Sequence, residues 1–386
     1  AALSQIRDRA ATRTLVRLLR HRDRTLRRLA AQALSRTRDP AAVPPLVRLC
    51  REGARGVRVT CLQALGGVLR GSTDPRARAA LLGVLASSDR SAVLAALDAV
   101  AAMDDPRLTE ALVQRHAAAP RPMRVKILET LGNHRGEGVD AALKLLLEAI
   151  RSEDPIQRAA AAWGLGKLGR REAIGRLRQA ARDRSWIVRA NAVAALGRLA
   201  PRSSTALLRL LARDSVAYVR ANAVLALGAS RRSGPIVRLL ASRVRDRTPW
   251  VRVNALRALY RVAGPRARVR LPQRSRPTEV SQLRRTLARR DPDPRVRALL
   301  ERRDRETNRG DTWIGLYLLD TANKPLRRSL FVLVTPSGWL KASYSDARAE
   351  AWEHRLRPGK CYVERPIPGL KSPELPDSAA QRSSEN

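Results

Sequence analysis

One arrangement of apolar and polar positions is written three times between Arg182 and Tyr260. Asp183-Arg-Ser-Trp-Ile-Val-Arg189-Ala-Asn191-Ala-Val-Ala-Ala-Leu196-Gly197 recurs from Asp214 through Arg220 and Asn222 to Gly228, and again from Asp246 through Arg252 and Asn254 to Leu259. The apolar residues keep the i, i+3, i+4, i+7 spacing of a helix face. The Asp or Ser that precedes them is of the type that caps a helix N-terminus. Counting back from Arg252, Arg220 and Arg189, the same position is filled by Arg158, Arg124, Arg58 and Arg27. The steps are 31 to 34 residues, except for one gap of 66 that holds two units. Ser88 to Met103 fills that gap with the right apolar spacing but without the arginine at that position of the repeat.

Each of these eight units also has a first helix. Leu46 to Cys50, Ala79 to Leu85, Ala141 to Ile150, Thr205 to Leu211 and Ile236 to Leu240 carry its signal. A fixed step of this length predicts a helical solenoid, in which each unit buries its apolar face only against its neighbours. Gly66, Gly132, Gly166, Gly197 and Gly228 are expected to end the second helices in a left-handed cap. Leu3 stands one repeat before Leu34, so the chain is expected to begin inside a further repeat, as a fragment or a processed product.

Beyond Tyr260 the pattern breaks into a basic, proline-rich insertion at 262–279. A helix over Val280 to Arg290 and the segment Asp291 to Arg297 then predict a ninth, capping unit, which closes the repeat region at 1–303. A charged linker follows at 304–312. From 313 to 365 the period becomes alternating, with strands expected at Ile314 to Leu319, Leu330 to Val334, Gly338 to Tyr344 and Lys360 to Glu364. The Pro- and Ser-rich tail at 366–386 is expected to be disordered.

The sentence D-x-x-x-x-V-R-x-x-A-x-x-A-L-G resembles the second helix of bacterial HEAT repeats of the phycobilisome-lyase-like kind. That resemblance implies a mainly α chain, a right-handed HEAT-repeat α-solenoid of about nine repeats. Leu319-Asp-x-x-x-Lys-Pro-Leu, Val334-Thr-Pro-Ser-Gly and Leu356-Arg-Pro-Gly-Lys-Cys-Tyr-Val resemble the small transthyretin-like or carboxypeptidase-regulatory-like β-sandwich. The Pro-Gly-x-Cys ending is similar to that of domains attached to bacterial type VI secretion and related injection proteins. Asp346-Ala-Arg-Ala-Glu departs from that family's usual Asp-x-x-Gly turn.

Composition sharpens this picture. Apolar residues make up 44% of the chain but aromatics only 3%, with a single Phe331, so the core must be Leu, Ala and Val. Such residues favour helices and let them approach closely. The net charge is +41. From Trp313 onward seven Arg and four Lys stand against three Asp and five Glu, which leaves +38 on residues 1–312. A field of that size attracts nucleic acid, anionic lipid or an acidic protein.

The repeated Asp and Arg are expected to form a structural ladder between neighbouring units, with Asn191, Asn222 and Asn254 satisfying groups between repeats. The surplus arginines fall just past the second helices, at Arg36, Arg38, Arg70, Arg135, Arg170, Arg171, Arg198, Arg202, Arg231 and Arg232, then at Arg261, Arg266, Arg268 and Arg270. Falling at one point of each repeat, they are expected to line one edge. The candidate polyanion-binding set is Arg135, Arg170, Arg171, Arg198, Arg202, Arg231, Arg232, Arg266, Arg268 and Arg270. Trp163, Trp186, Tyr218 and Trp250 suit packing between repeats better than stacking on bases.

No catalytic residue, metal site or cofactor is expected. His21, His116, His134 and His354 lie in different units or domains, and Cys50, Cys61 and Cys361 have no paired spacing. No phosphate-cradling glycine loop is present, and no apolar run approaches the ~20 residues that spanning a bilayer needs. The expectation is a non-catalytic bacterial, cytoplasmic scaffold. Its basic edge engages nucleic acid or another polyanion, and its β domain docks a second partner. Two alternatives stay open. One is a protein-protein adaptor in a bacterial secretion or injection assembly. The other is an alkylpurine DNA glycosylase built from HEAT-like repeats, whose family combines a basic concave face with aromatic residues and a catalytic aspartate.

Overall fold

The structure, a computed structural model, describes residues 9–37, 39–69, 74–101, 103, 105–134, 136–264, 266–269, 278–291, 312–317, 330–335, 339–344, 350–356 and 362–364. The expected repeat before Leu34 at residues 1–8, the linker at 304–311, the tail at 366–386 and the helix of the ninth unit around Arg297 lie outside the described residues. The chain divides into two units, Ala1–Ala149 and Ile150–Asn386.

In the first unit α1 (Arg9–Leu18), α3 (Val43–Glu52), α5 (Pro75–Ala86) and α7 (Pro106–Ala118) are first helices. Their partners are α2 (Arg24–Thr37), α4 (Arg55–Val68), α6 (Arg90–Val100) and α8 (Arg121–Leu131), and α9 (Val139–Ala149) follows against α7 and α8. Each first helix packs on its own second helix, and each second helix packs on the next. Asp74, Asp89 and Asp105 cap α5, α6 and α7 by accepting the backbone N–H groups two and three residues on. Proline at the start of α5 and α7 occupies a position with no helical acceptor to lose.

The second unit continues this order with α10 (Pro155–Leu168), α11 (Ile174–Ala180), α12 (Trp186–Leu199), α13 (Thr205–Leu211), α14 (Ala217–Leu227), α15 (Gly234–Arg243) and α16 (Pro249–Ala263). The second helices α10, α12, α14 and α16 stack in sequence, and α11, α13 and α15 each cover one of them. Inside the insertion, β1 (Arg268–Val269) pairs antiparallel with β2 (Thr278–Glu279). The predicted helix over Val280 to Arg290 is α17 (Val280–Arg290), and it packs on α16.

Gly132 and Gly228 end their helices as expected, but the conformation and the packing of these glycines differ from the expected left-handed caps. Gly66, Gly166 and Gly197 lie inside helices, and the cap residues Gly132 and Gly228 have φ of −61° and −63°, so none of the five is left-handed. A Cβ at Gly166 would meet the Ala195 side chain at 2.5 Å, one at Gly228 would meet Ala258 Cα at 2.9 Å, and one at Gly66 would meet Ala99 Cα at 3.1 Å. Their task is contact between successive second helices. The left-handed cap falls three residues later in that repeat, at Gly169 with φ of 86°.

Five strands are described beyond the repeats: β3 (Thr312–Tyr317), β4 (Leu330–Val334), β5 (Leu340–Tyr344), β6 (Glu350–Leu356) and β7 (Tyr362–Glu364). They form a β3–β6 pair and a sheet of order β5-β4-β7, all antiparallel. β6 had no counterpart among the expected strands, because Glu350-Ala-Trp-Glu-His-Arg-Leu does not alternate cleanly between apolar and polar. β5 is an edge strand of its sheet, and it packs against α10, α12 and α14.

Candidate functional site: a ladder, a row and an edge

Three sets of polar side chains recur along the second unit. The first is the arginine ladder. Arg158 donates two hydrogen bonds to the Asp183 carboxylate at 2.8 and 3.0 Å, and Arg189 does the same to Asp214 at 2.9 and 3.2 Å. Arg220 reaches Asp246 with both bonds at 3.0 Å, and Arg252 reaches Asp291 at 2.8 Å through Nε. Each Nη1 also donates to two carbonyls at the start of its own helix, as Arg220 does to Asp214 and Ser215 at 2.9 Å. The aspartates in turn accept their own turn's N–H groups, from Ser185, Val216 and Thr248. The partners are 25, 25, 26 and 39 residues apart, so the basic insertion is accommodated outside the ladder without breaking it. In the first unit the ladder is weaker, with Arg58 4.0 Å from Asp89. The degenerate unit there supplies a different pair, Lys126 to the buried Asp98 at 2.6 Å.

The second set is the asparagine row. Asn191, Asn222 and Asn254 donate from Nδ2 to the carbonyls of Ala159, Ala190 and Ala221, one repeat back, at 3.0, 2.9 and 3.1 Å. This is the linking role expected of them, but Asn191 and Asn222 do more. Asn222 also donates to Leu340 O at 2.8 Å and accepts Leu340 N–H at 2.9 Å. Asn191 likewise donates to Ala342 O and accepts Ala342 N–H, both at 3.1 Å. Successive repeats therefore hold alternate residues of β5 by their backbone. On its other side β5 pairs with β4, with Val334 opposite Leu340 and Val332 opposite Ala342.

The side chains of this segment fill the surroundings of the row. Lys341, 3% exposed, brings Nζ to 5.7 Å from the Trp163 ring centre. The Trp339 ring lies against Gly197, where any Cβ would collide with it. Arg198 lies over Trp163 at 3.9 Å and 5.6 Å from the Trp339 ring, a cation held between two aromatic groups. Arg198 therefore leaves the predicted edge set: it sits inside α12, and its position in the repeat turns it toward the indoles. Trp163, Trp186, Tyr218 and Trp250 are all buried, and Trp186 stacks on Tyr218 with ring centres 5.4 Å apart.

The third set is the edge. Arg170 and Arg171 follow α10, Arg202 follows α12, and Arg231 and Arg232 follow α14, all exposed on the turns into the next repeat. Arg171, Arg202, Arg231 and Arg232 make no ion pair among the described residues, while Arg170 lies 3.9 Å from Glu172. Arg261, Arg266 and Arg268 are exposed near the insertion. Arg38, Arg70, Arg135 and Arg270, and the side chain of Arg36, lie outside the described residues.

Comparison with known proteins agrees with the repeated geometry. A family model of HEAT repeats matches residues 1–66 and 143–228. Over those two stretches the chain is similar to HEAT repeats. No curated protein shows significant sequence similarity to it. Among solved structures it is similar to an engineered protein at 20% identity and a TM-score of 0.36, over 68% of this chain and 83% of that one. A designed armadillo repeat protein in complex with the peptide (KR)4 is 16% identical, with a TM-score of 0.34 over 47% and 97% of the two chains. A second designed armadillo repeat protein is 17% identical, with a TM-score of 0.33 over 48% and 98%.

The ladder was readable from the spacing of Asp and Arg alone. The second use of the asparagines was not, because their partners Leu340 and Ala342 lie 118 and 151 residues away and take part through backbone atoms. Among the described residues no cluster of His, Cys, Asp and Glu could hold a metal ion, and no helix is long and apolar enough to cross a membrane. Cys50 and Cys61 are buried free thiols. Burial pushes both upward, Cys61 to about 12.

Proposed function

We propose that the chain is a non-catalytic HEAT-repeat scaffold whose basic turn edge engages nucleic acid or another polyanion, while its C-terminal strands form a small transthyretin-like module that docks a second partner. The observation that carries this reading is the contrast between two sets of arginines. Arg158, Arg189, Arg220 and Arg252 are neutralised by aspartates within the fold. Arg171, Arg202, Arg231 and Arg232 sit exposed at successive turns, at a point of the repeat where packing requires no charge. Cations repeated on a rigid scaffold suit a long polyanion, since each phosphate contact releases counterions. Such contacts position the ligand without reading its sequence.

The test is binding of random-sequence duplex DNA by fluorescence anisotropy between about 50 and 200 mM salt. The expected result is a steep, linear fall of log affinity with log salt. Replacing Arg170, Arg171, Arg231 and Arg232 by alanine should lower that slope by about 3 to 4 and leave the unfolding midpoint unchanged. No binding at about 50 mM salt overturns the reading.

A protein-protein adaptor role in a bacterial secretion or injection assembly is the second reading, supported by the row of asparagines that already holds a polypeptide strand. Co-purification with a contractile-apparatus component, together with indifference to DNA, would favour it. The glycosylase alternative draws no support from the repeat aspartates Asp183, Asp214, Asp246 and Asp291, each held by an arginine, or from the buried aromatics. Release of alkylated base from DNA would restore it.

A further inference from the structure

We infer that the asparagine row on α12 and α14 is a recognition groove for an extended polypeptide segment, and that β5 is its built-in occupant, exchangeable for a partner strand of like chemistry. The inference rests on the groove and not on the basic edge, so DNA binding can fail without touching it.

The geometry of each asparagine supports the reading. One hydrogen of Nδ2 is spent on the carbonyl of the preceding repeat, which fixes the plane of the amide. The other hydrogen and Oδ1 then face outward as a donor and an acceptor side by side, the pair that one residue of an extended strand presents along its edge. Asn191 and Asn222 are 1% and 0% exposed, so neither amide is free to turn toward solvent. Residues i and i+2 of a strand are about 6.7 Å apart, against helix axes about 9 Å apart. Asn222 and Asn191 meet Leu340 and Ala342, two residues of β5 that stand i and i+2.

All four of these bonds to β5 go to backbone atoms, so the row holds strands in general. Side chains supply the selection. Gly197 leaves a flat seat for an aromatic ring at the Trp339 position, and Arg198 closes over that ring. Trp163 faces the cation at the Lys341 position. The Ala342 position is buried and small. The fitting partner is therefore an extended segment of the pattern aromatic, apolar, cationic, small, with no proline where an asparagine must be met.

In β5 the same segment also serves as the edge of a three-stranded sheet, and the row covers the unpaired side of that edge. This is strand addition in which side-chain amides replace the neighbouring strand. Its reversal exposes a groove already shaped for the incoming segment.

The experiment uses the full chain and a fluorescent hexapeptide, Gly-Trp-Leu-Lys-Ala-Ser, copied from residues 338–343. Leu340→Pro removes the N–H that Asn222 accepts and vacates the row. The hexapeptide should bind this variant at least ~10-fold more tightly than the unaltered chain, because there the groove is filled from within. Adding Asn191→Ala and Asn222→Ala should abolish the binding, as should proline in place of alanine in the peptide. Equal binding to both chains, binding that survives loss of the asparagines, or no binding to a folded Leu340→Pro chain overturns the inference. Should that variant fail to fold, hydrogen exchange on the unaltered chain decides. Millimolar hexapeptide should speed exchange at the Leu340 and Ala342 amides, and unchanged protection there overturns the inference equally.

Discussion

Replacing Arg220 by methionine tests whether the ladder, and not apolar burial alone, holds neighbouring repeats together. Methionine keeps an unbranched apolar stem, drops the guanidinium, and removes two bonds to Asp246 and two to the carbonyls of Asp214 and Ser215. The Asp246 side chain, 4% exposed, is then left with the Thr248 N–H and with Arg243 at 3.8 Å. Breaking a buried, hydrogen-bonded ion pair from one side costs about 3 to 5 kcal/mol. The remaining partners of Asp246 place Arg220→Met at the lower end, about 3 kcal/mol. Replacing both residues, as Arg220→Met with Asp246→Leu, removes the stranded charge and should recover more than half of the loss. Because repeats couple chiefly to their neighbours, the loss should appear first as faster amide exchange in α14 and α16 and as an earlier, broader denaturant transition. A cost under about 1 kcal/mol for Arg220→Met, or an equal cost for the exposed Arg231→Ala, would refute the division of the arginines into frame and surface.

Gly166→Ala should destabilise by about 1 to 3 kcal/mol in a denaturant titration, since its methyl would press on Ala195. Gly83→Ala, in α5 with nothing within 4 Å, should instead stabilise by roughly 0.5 to 1 kcal/mol. Cys50 and Cys61, whose thiols burial holds far above the usual range, should resist alkylation in the folded chain at neutral pH and react once denaturant is added; rapid labelling of both without denaturant would contradict their placement. His116 lies below its ordinary value of 6.5 through burial first and the nearby Arg124 second, so the unfolded chain takes up its proton at higher pH than the folded one. The contribution of His116 to stability is present above pH 6.5 and lost as pH falls from there through its folded value, and His116→Gln should flatten that dependence.

The residues that announced the fold were those whose partners lie one repeat away. Asp291, the first residue of the expected ninth unit, accepts Arg252 although the insertion lengthens their separation to 39 residues. The ladder could therefore be read through an interruption that hid the ordinary step. The glycines were misread because helix-ending glycine and contact glycine look alike in a sequence. Gly197 ends an Ala-Leu-Gly run as a cap would, yet its place is set by Ala226 on the next helix and by the Trp339 ring. Only the distance between two helices tells these roles apart, and a one-dimensional pattern does not carry that distance.

The asparagines show the same limit at the candidate site. Regular recurrence argued for a structural role, and each does bond the preceding repeat. In Asn191 and Asn222, each fixed by one such bond, the remaining donor and acceptor point the same way. Structural duty and recognition are therefore not competing accounts of Asn191 and Asn222, because the first supplies the order that the second requires. The edge arginines lack such fixing, being exposed on turns with long, rotatable side chains. They suit a ligand held by charge along its length, whereas the buried row suits one held residue by residue, so the two proposed surfaces make separate demands on one repeat scaffold.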